Sequence, residues 1–251
     1  MIDIHSHVIP GIDDGAKNEE MAIEMLKIAE KSGTRKLVVT PHFMRGRFNY
    51  EYNEVTEEVD KLKKIAEENN IAIEMYQGQE IYYSENILRY FNEGIIGTIN
   101  GSRYMLIEFP MLEFNLDRII DDLYELQIKG IVPIIAHPER YKPFMKKPHL
   151  INELIKEGCL FQLNAGSLTG EFGKDVKKIA ELYYENKIYN FVGSDAHRAD
   201  RRNPDLNEFC NMADEENIKF LIQSSEAMLN NAKVDFEGNM IKERKKFLGL
   251  F

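Results

Sequence analysis

The sequence predicts an α/β protein, a single domain built on a closed or nearly closed barrel, and three observations predict it. Short β-branched or apolar runs alternate with longer amphipathic ones almost to the end of the chain. Parallel strands need crossovers of that length, so the alternation implies a mostly parallel sheet covered by helices. No Gly-x-Gly-x-x-Gly turn follows the first strand, which disfavours an open dinucleotide-binding sheet.

Seven strands are expected, each four to six residues long: Ile2–His5, Lys36–Thr40, Ala72–Tyr76, Tyr104–Phe109, Val132–Ala136, Cys159–Leu163 and Tyr189–Val192. Between them lie helical stripes such as Ala22, Met25, Leu26 and Ala29 before Gly33, then Val55, Val59, Leu62 and Ala66, and later Val176, Ile179, Ala180 and Tyr183. The segment from about Pro204 to Ala232 reads as helix. A tail over about 233–251 mixes Lys242, Arg244, Lys245 and Lys246 with Phe247, Leu248, Leu250 and Phe251, and is expected as a last helix packed on the barrel. With no Pro/Gly/Ser linker and no low-complexity tract, residues 1–251 read as one domain.

Composition excludes several classes. The 251 residues carry 42 acidic and 32 basic side chains, a formal charge of −10 at pH 7, which disfavours nucleic acid and anionic membrane as partners. The longest apolar run is the six residues Ile131–Ala136, far short of the ~20 that span a bilayer. Asp3 and His5 stand where a signal peptide would be apolar. Two cysteines, Cys159 and Cys210, stand far apart without metal or redox spacing, so a reducing cytoplasm is the expected location.

Five of the six histidines fall at or just beyond the end of an expected strand: His5, His7, His42, His137 and His197. His149, after Pro148, is expected as an ordinary surface residue. In parallel α/β proteins the carboxyl ends of the strands form the ligand-binding face, so these residues converge on one mouth. Carboxylates occupy the same ends: Asp13 or Asp14, then Glu80, Glu108 and Asp195. Glu108 is the most telling, because it lies in the apolar run Met105–Phe109 and a carboxylate buried in a strand needs a partner. Imidazole with carboxylate and no thiolate suits Mn²⁺, Fe or Zn²⁺, and carboxylates can bridge two ions. On an extended segment His5 and His7 face the same way, so the pair can chelate one ion.

The motifs Asp3-Ile-His-Ser-His7 with Asp13-Asp-Gly15, Thr40-Pro-His42, Glu80, His137-Pro-Glu-Arg140 and Ser194-Asp-Ala-His197 resemble the PHP (polymerase and histidinol phosphatase) superfamily. The Pro-Gly-Ile-Asp-Asp-Gly segment, Ile107-Glu-Phe-Pro110 and His-Pro-Glu-Arg-Tyr resemble in particular its bacterial manganese-dependent tyrosine-protein phosphatases of capsule and exopolysaccharide loci. That resemblance implies a distorted (β/α)₇ barrel with two or three Mn²⁺ ions, Fe, Zn or Co being compatible. It implies that His5, His7, Glu80 and Asp195 hold one ion, Glu80, Glu108 and His137 a second, and Asp14, His42 and His197 a third, with Asp13 the competitor of Asp14. Arg140 and Arg202 match the phosphate-binding arginines, Arg198 and Arg201 competing with Arg202.

The expected reaction is hydrolysis of phosphotyrosine by metal-activated hydroxide, without a phosphoenzyme. Four ligand carboxylates against three divalent ions and one hydroxide leave about +1, and the two arginines raise that to about +3, a pocket that attracts a phosphate dianion. A phenol of pKa near 10 leaves with little help from a general acid, for which His42 and His197 are the candidates. Neither cysteine has an arginine six positions later, since residue 165 is Ala and residue 216 is Glu, which excludes the usual cysteine-phosphatase loop. The implied partner is a phosphotyrosine protein, a bacterial tyrosine kinase of polysaccharide export; the oligomeric state stays open. After His42, the segment Phe43–Tyr50 places Arg45 and Arg47 among aromatics, either to grip a phosphopeptide or as an exposed loop.

Three rival readings remain. One is a small-molecule phosphatase of the same superfamily, acting on a substrate such as histidinol phosphate. An amidohydrolase also opens with His-x-His, but no lysine stands at a matching strand end to bridge its metals. A non-enzymatic module that keeps metals for structure is the third.

Overall fold

In the computed structural model, which describes residues 1–243, the strands follow the chain as β1 (Ile2–Asp3), β2 (Lys36–Val39), β3 (His42–Phe43), β4 (Glu74–Gln77), β5 (Glu80–Tyr82), β6 (Tyr104–Glu108), β7 (Val132–Ala136), β8 (Leu160–Asn164) and β9 (Phe191–Gly193). Every ladder is parallel, in the orders β1-β2-β4 and β3-β5-β6-β7-β8-β9. Two strands, β3 and β5, lie beyond the seven expected ones, since the runs Lys36–Thr40 and Ala72–Tyr76 stop before the breaks that precede them. Pro41, which has no N–H to give, separates β2 from β3, and its carbonyl accepts Glu80 N–H at 3.0 Å. Gly78 separates β4 from β5, where a Cβ would lie 3.1 Å from Val38 and 3.2 Å from Thr40. After the breaks, His42 and Glu80 open β3 and β5 and are paired directly with each other.

The curled sheet closes on itself between its first and last strands. Ile4 N–H donates to Val192 O at 3.2 Å, Asp195 N–H to His5 O at 2.8 Å, and His7 N–H to Ala196 O at 2.9 Å. Buried Asp3 ties the same seam, its Oδ1 accepting the N–H groups of His5 and Ser194. This is the closed or nearly closed barrel that the strand pattern predicts, distorted as the resemblance implies.

Side chains alternate along the strands as a period of two requires. Tyr104, Leu106, Ile134, Ala136 and Leu160 share one cluster with Val38 and Phe191, the face the curled sheet encloses. Met105, Ile107, Ile135, Phe161 and Leu163 join the helix-facing cluster with Leu123 and Ile179. The enclosed row continues toward the carboxyl ends as Glu108 on β6 and Gln162 and Asn164 on β8, all buried. Apolar floor and polar mouth thus belong to one row of side chains.

The covering helices bury the stripes the sequence marks. Helix α1 (Glu19–Lys31) buries Ala22, Met25, Leu26 and Ala29, and α2 (Tyr52–Glu68) buries Val55, Val59, Leu62 and Ala66. Next come α3 (Ile87–Asn92), α4 (Leu116–Ile128), α5 (Lys142–Lys146), α6 (Ile151–Lys156), α7 (Ala165–Thr169) and α8 (Lys174–Glu185), the last burying Val176, Ile179, Ala180 and Tyr183.

Two expectations about the end of the chain are corrected. The helix expected over about 204–232 forms as two pieces, α9 (Asn207–Met212) and α10 (Glu215–Leu229), because Asp214 caps α10 by accepting Asn217 N–H and so ends α9. The helical tail does not form within 233–243. There the main chain finds partners on the body rather than within itself: Tyr104 Oη donates to Ala232 O at 2.6 Å and accepts Val234 N–H at 2.9 Å, Asn239 N–H meets Asn186 O, and Asn152 pairs with both backbone groups of Ile241. The remainder of the tail, from residue 244 on, lies outside the described residues.

Candidate metal centre

Backbone conformation aims the site. His137 and Asp195 take φ of 30° and 51°, and Arg202 takes 45°, values uncommon for residues with a Cβ. His137 and Asp195 come one and two residues after β7 and β9, where the left-handed residue breaks the alternation and turns a side chain into the enclosed mouth, while Arg202 sits in the loop beyond β9.

Four acceptors converge there. His5 Nε2 and His7 Nε2 lie 3.1 Å apart, Glu80 Oε2 is 3.2 and 3.3 Å from them, and Asp195 Oδ1 is 3.6 and 3.5 Å from them, all four residues being buried. The tautomers are fixed from behind. Gln162 Nε2 donates to Leu163 O, so its Oε1 must be the atom 2.9 Å from His5 Nδ1, which therefore carries the proton. Asp13 Oδ2 stands 2.7 Å from His7 Nδ1 and does the same for the second ring. Both Nε2 atoms then face two carboxylate oxygens, an arrangement that a positive charge stabilises.

Around this group lie two more. Asp14 Oδ1 is 3.5 Å from His42 Nε2 and 3.4 Å from His197 Nε2, and His197 Nδ1 is turned to Asp195 O at 2.9 Å, leaving Nε2 free to coordinate. Glu80 Oε1 is 2.9 Å and Glu108 Oε1 3.7 Å from His137 Nε2. His42 Nδ1 lies 2.9 Å from Glu80 Oε2 and 3.9 Å from Glu108 Oε2, so His42 also joins the group of Glu80 and Glu108, a contact the sequence does not suggest. Buried Glu80 Oε2, His42 Nδ1 and His137 Nδ1 make no hydrogen bond.

Charge follows the same geometry. Burial pushes Glu108 well above the usual carboxylate range, and repulsion from Glu80 and Asp195 adds to it. Burial also opposes ionisation of Glu80 and Asp195, but His5 with His42 and His137 around Glu80, and His5, His7, Arg140 and Arg202 around Asp195, hold both well below it. A hydrogen bond from His197 lowers Asp14, and His137 is depressed to about 4 by burial and Arg140, which keeps it neutral. Burial works against charging His5 and His7, yet Glu80 and Asp195 raise the first, and Asp13 raises the second well above the usual imidazole value. Such imidazoles beside crowded carboxylates and orphaned donor atoms are the donor set of a multinuclear divalent site.

The arginines sort themselves. Arg140 Nη1 and Arg202 Nη2 each lie 2.6 Å from Asp195 Oδ2, which also accepts from Asn164 Nδ2 at 2.8 Å. Arg198 instead braces the loop behind the site on the carbonyls of Asp14, Gly15 and His197, and exposed Arg201 lines a neighbouring groove. Arg140 and Arg202 open with Asp14, His42, Glu80, Glu108, His137, Asp195 and His197 onto one cleft of about 550 Å³. Its rim carries Met44, Arg47, Phe48, Met111 and Leu112. Phe48 stacks on His42 with rings 5.6 Å apart, and Arg47 lies over Phe48. Arg45 points away to Glu51 and is no part of the wall. His149 lies outside the cleft and half-buried, 3.8 Å from Glu243.

Sequence reasoning leaves the supporting residues unmarked: Gln162, Asn164 and the bracing role of Asp13. For Gln162 a signal exists, since a polar residue inside an apolar strand is the same feature that singles out Glu108.

Comparison with known proteins agrees with this geometry. A family profile described as "Capsular polysaccharide synthesis, CpsB/CapC" matches residues 1–232. The chain is 33% identical over 256 residues to the tyrosine-protein phosphatase YwqE of Bacillus subtilis (strain 168), covering 100% of both, and 35% identical over 209 residues to the tyrosine-protein phosphatase CpsB of Streptococcus pneumoniae, covering 81% of this chain and 86% of that one. A solved chain from work describing YwqE and CpsB as unique metal-dependent tyrosine phosphatases superposes with a TM-score of 0.89 at 32% identity, over 96% of this chain and 100% of the other.

Proposed function

The chain belongs to the CpsB/CapC family of capsular polysaccharide synthesis, and from that premise we infer that it is a metal-dependent protein-tyrosine phosphatase. The observation that carries the reading is the convergence of His5 Nε2, His7 Nε2, Glu80 Oε2 and Asp195 Oδ1, with both tautomers locked to expose lone pairs. We assign these four to one cation. Glu80 and Glu108 with His137, and His42 within reach, go to a second, and Asp14, His42 and His197 to a third. Glu80 offers one oxygen to each of the first two groups. Mn²⁺ is the ion we propose, with Fe, Zn and Co as alternatives of similar ligand preference.

When bound, the cations supply Lewis acidity toward phosphoryl oxygens and make water a nucleophile near neutral pH. The chain supplies the rest. Arg140 and Arg202 present guanidinium N–H groups to the phosphoryl oxygens, held in place by the second oxygen of Asp195. Met44 and Phe48 on one side and Met111 and Leu112 on the other give the aryl ring apolar walls. His42 and His197 line the cleft as the imidazoles able to deliver a proton to the departing phenolate. Water attacks phosphorus directly, with no thiol intermediate: Cys159 is buried in the helix-facing core, burial raises its thiol pKa, and Cys210 lies on α9 outside the cleft lining. Cleft-lining residues include no lysine among those described, so the bridging place of an amidohydrolase lysine is taken by Glu80.

The substrate we propose is phosphotyrosine on a bacterial tyrosine kinase that controls polysaccharide export, and the unpaired cysteines suit a cytoplasmic setting. No helix among the described residues is long and apolar enough to cross a membrane. Metal analysis of the purified protein, paired with turnover of a phosphotyrosine peptide and of histidinol phosphate with and without chelator, tests the reading. Bound divalent metal and chelator-sensitive release of phosphate from the peptide are expected. Preference for histidinol phosphate, or activity indifferent to chelation, would overturn it.

A further inference from the structure

Between α7 and α8 the chain makes a tight excursion, Gly170-Glu-Phe-Gly173, whose two glycines take φ of 95° and 92°. Its two middle side chains both serve the arginines of the cleft. Glu171 Oε1 accepts Arg202 N–H at 2.8 Å, at the residue whose own φ is left-handed. The Phe172 ring lies under both guanidinium groups, its centroid 4.5 Å from Arg140 Cζ and 5.6 Å from Arg202 Cζ. Gly166 makes the approach feasible, since a Cβ there would lie 2.4 Å from Glu171 Oε2 and 3.0 Å from Phe172 Cε2. Phe172 is not part of the cleft wall, so it meets the arginines from behind.

We propose that the Gly170–Gly173 turn is a positioning element for phosphate binding, in which Phe172 holds the two guanidinium planes and Glu171 fixes the backbone that carries one of them. The inference rests on the phosphatase reading above. Arg140 and Arg202 share one carboxylate oxygen, and Arg202 Nη2 also donates to Asp195 O at 3.3 Å; each guanidinium is thus held through a single nitrogen, which sets where the tips meet but leaves the planes free to turn. A ring face attracts the centres of both cations and restricts that rotation. The substrate's phosphoryl group then meets donors already oriented, which lowers the ordering cost of binding.

The test compares Phe172→Leu, Phe172→Tyr and Glu171→Ala with the wild type, using p-nitrophenyl phosphate as substrate and inorganic phosphate as competitive inhibitor. Phe172→Leu keeps apolar volume and loses the ring face; about a tenfold rise in both KM and the phosphate inhibition constant is expected, with kcat changed less and metal content unchanged. Phe172→Tyr keeps the face and should lie within about twofold of wild type. Equal behaviour of Leu and Tyr, or a fall in kcat with both binding constants unmoved, overturns the proposal. Should the leucine variant not fold, Glu171→Ala, which removes the acceptor, carries the test: about a threefold rise in the same two constants supports it, and unchanged constants overturn it. A wild-type protein with no phosphatase activity would sink the functional reading instead, which keeps the two failures apart.

Discussion

Gln162→Leu tests whether the tautomer lock behind the first cation group matters. Gln162 is fully buried, and three polar groups depend on it: His5 Nδ1–H at 2.9 Å, His137 N–H at 3.3 Å, and Leu163 O at 2.6 Å. Leucine fills similar space and satisfies none of them. Leaving a buried donor or acceptor unpaired costs about 1–3 kcal/mol, so the metal-free protein should lose about 3 kcal/mol, taking the lower value for each group. For a chain of this size that corresponds to a fall in Tm of about 6–12 °C. Released from Oε1, the His5 proton can move to Nε2, which blocks the lone pair; loss of such a support typically weakens metal affinity about 10- to 100-fold. Calorimetric titration with Mn²⁺ below the unfolding range separates affinity from stability. Gln162→Glu, which keeps an acceptor opposite His5, should recover most of the affinity. A leucine variant that unfolds earlier yet binds Mn²⁺ as tightly as wild type would refute the reasoning.

Asp14→Asn should reduce the bound metal count by about one without moving Tm by more than ~2 °C, whereas Asp13→Asn should keep the count and lower affinity about tenfold, because Asp14 faces the imidazoles of His42 and His197 while Asp13 braces His7; plasma-source metal analysis reads both. Arg47→Ala should raise KM for a phosphotyrosine peptide by about three- to tenfold, and more than for p-nitrophenyl phosphate, while Arg45→Ala leaves both unchanged; equal effects of the two variants would contradict the placement of Arg47 on the cleft rim and Arg45 on Glu51. Tyr104→Phe removes one hydroxyl that serves both Ala232 O and Val234 N, so calorimetry should find a loss of about 1–3 kcal/mol and limited proteolysis should open the chain after Leu229 first.

Much of this protein was legible one residue at a time. Helical stripes such as Val55, Val59, Leu62 and Ala66 report burial because a 3.6-residue period admits only one inward face. Strand ends mark the mouth because parallel topology puts all carboxyl ends on one side, which is why histidines spread from position 5 to position 197 meet within a few ångströms. Glu108 announced itself as a charge inside an apolar strand. Strands β3 and β5 were not visible, since the expected runs stop at Thr40 and Tyr76, before Pro41 and Gly78, and only the register shows His42 and Glu80 pairing with each other.

By itself, then, the sequence determined the barrel and the list of groups at its mouth, since periodicity and topology depend on local spacing alone. Only the tertiary structure decided which atom of each group faces which. It set Asp14 rather than Asp13 opposite His42 and His197, Arg202 rather than Arg198 or Arg201 on Asp195, and gave His42 one nitrogen on each of two groups. Those choices turn on the left-handed backbone at His137, Asp195 and Arg202 and on hydrogen bonds from residues as distant as Gln162, which fix the rotation and protonation of side chains whose positions along the chain leave both free.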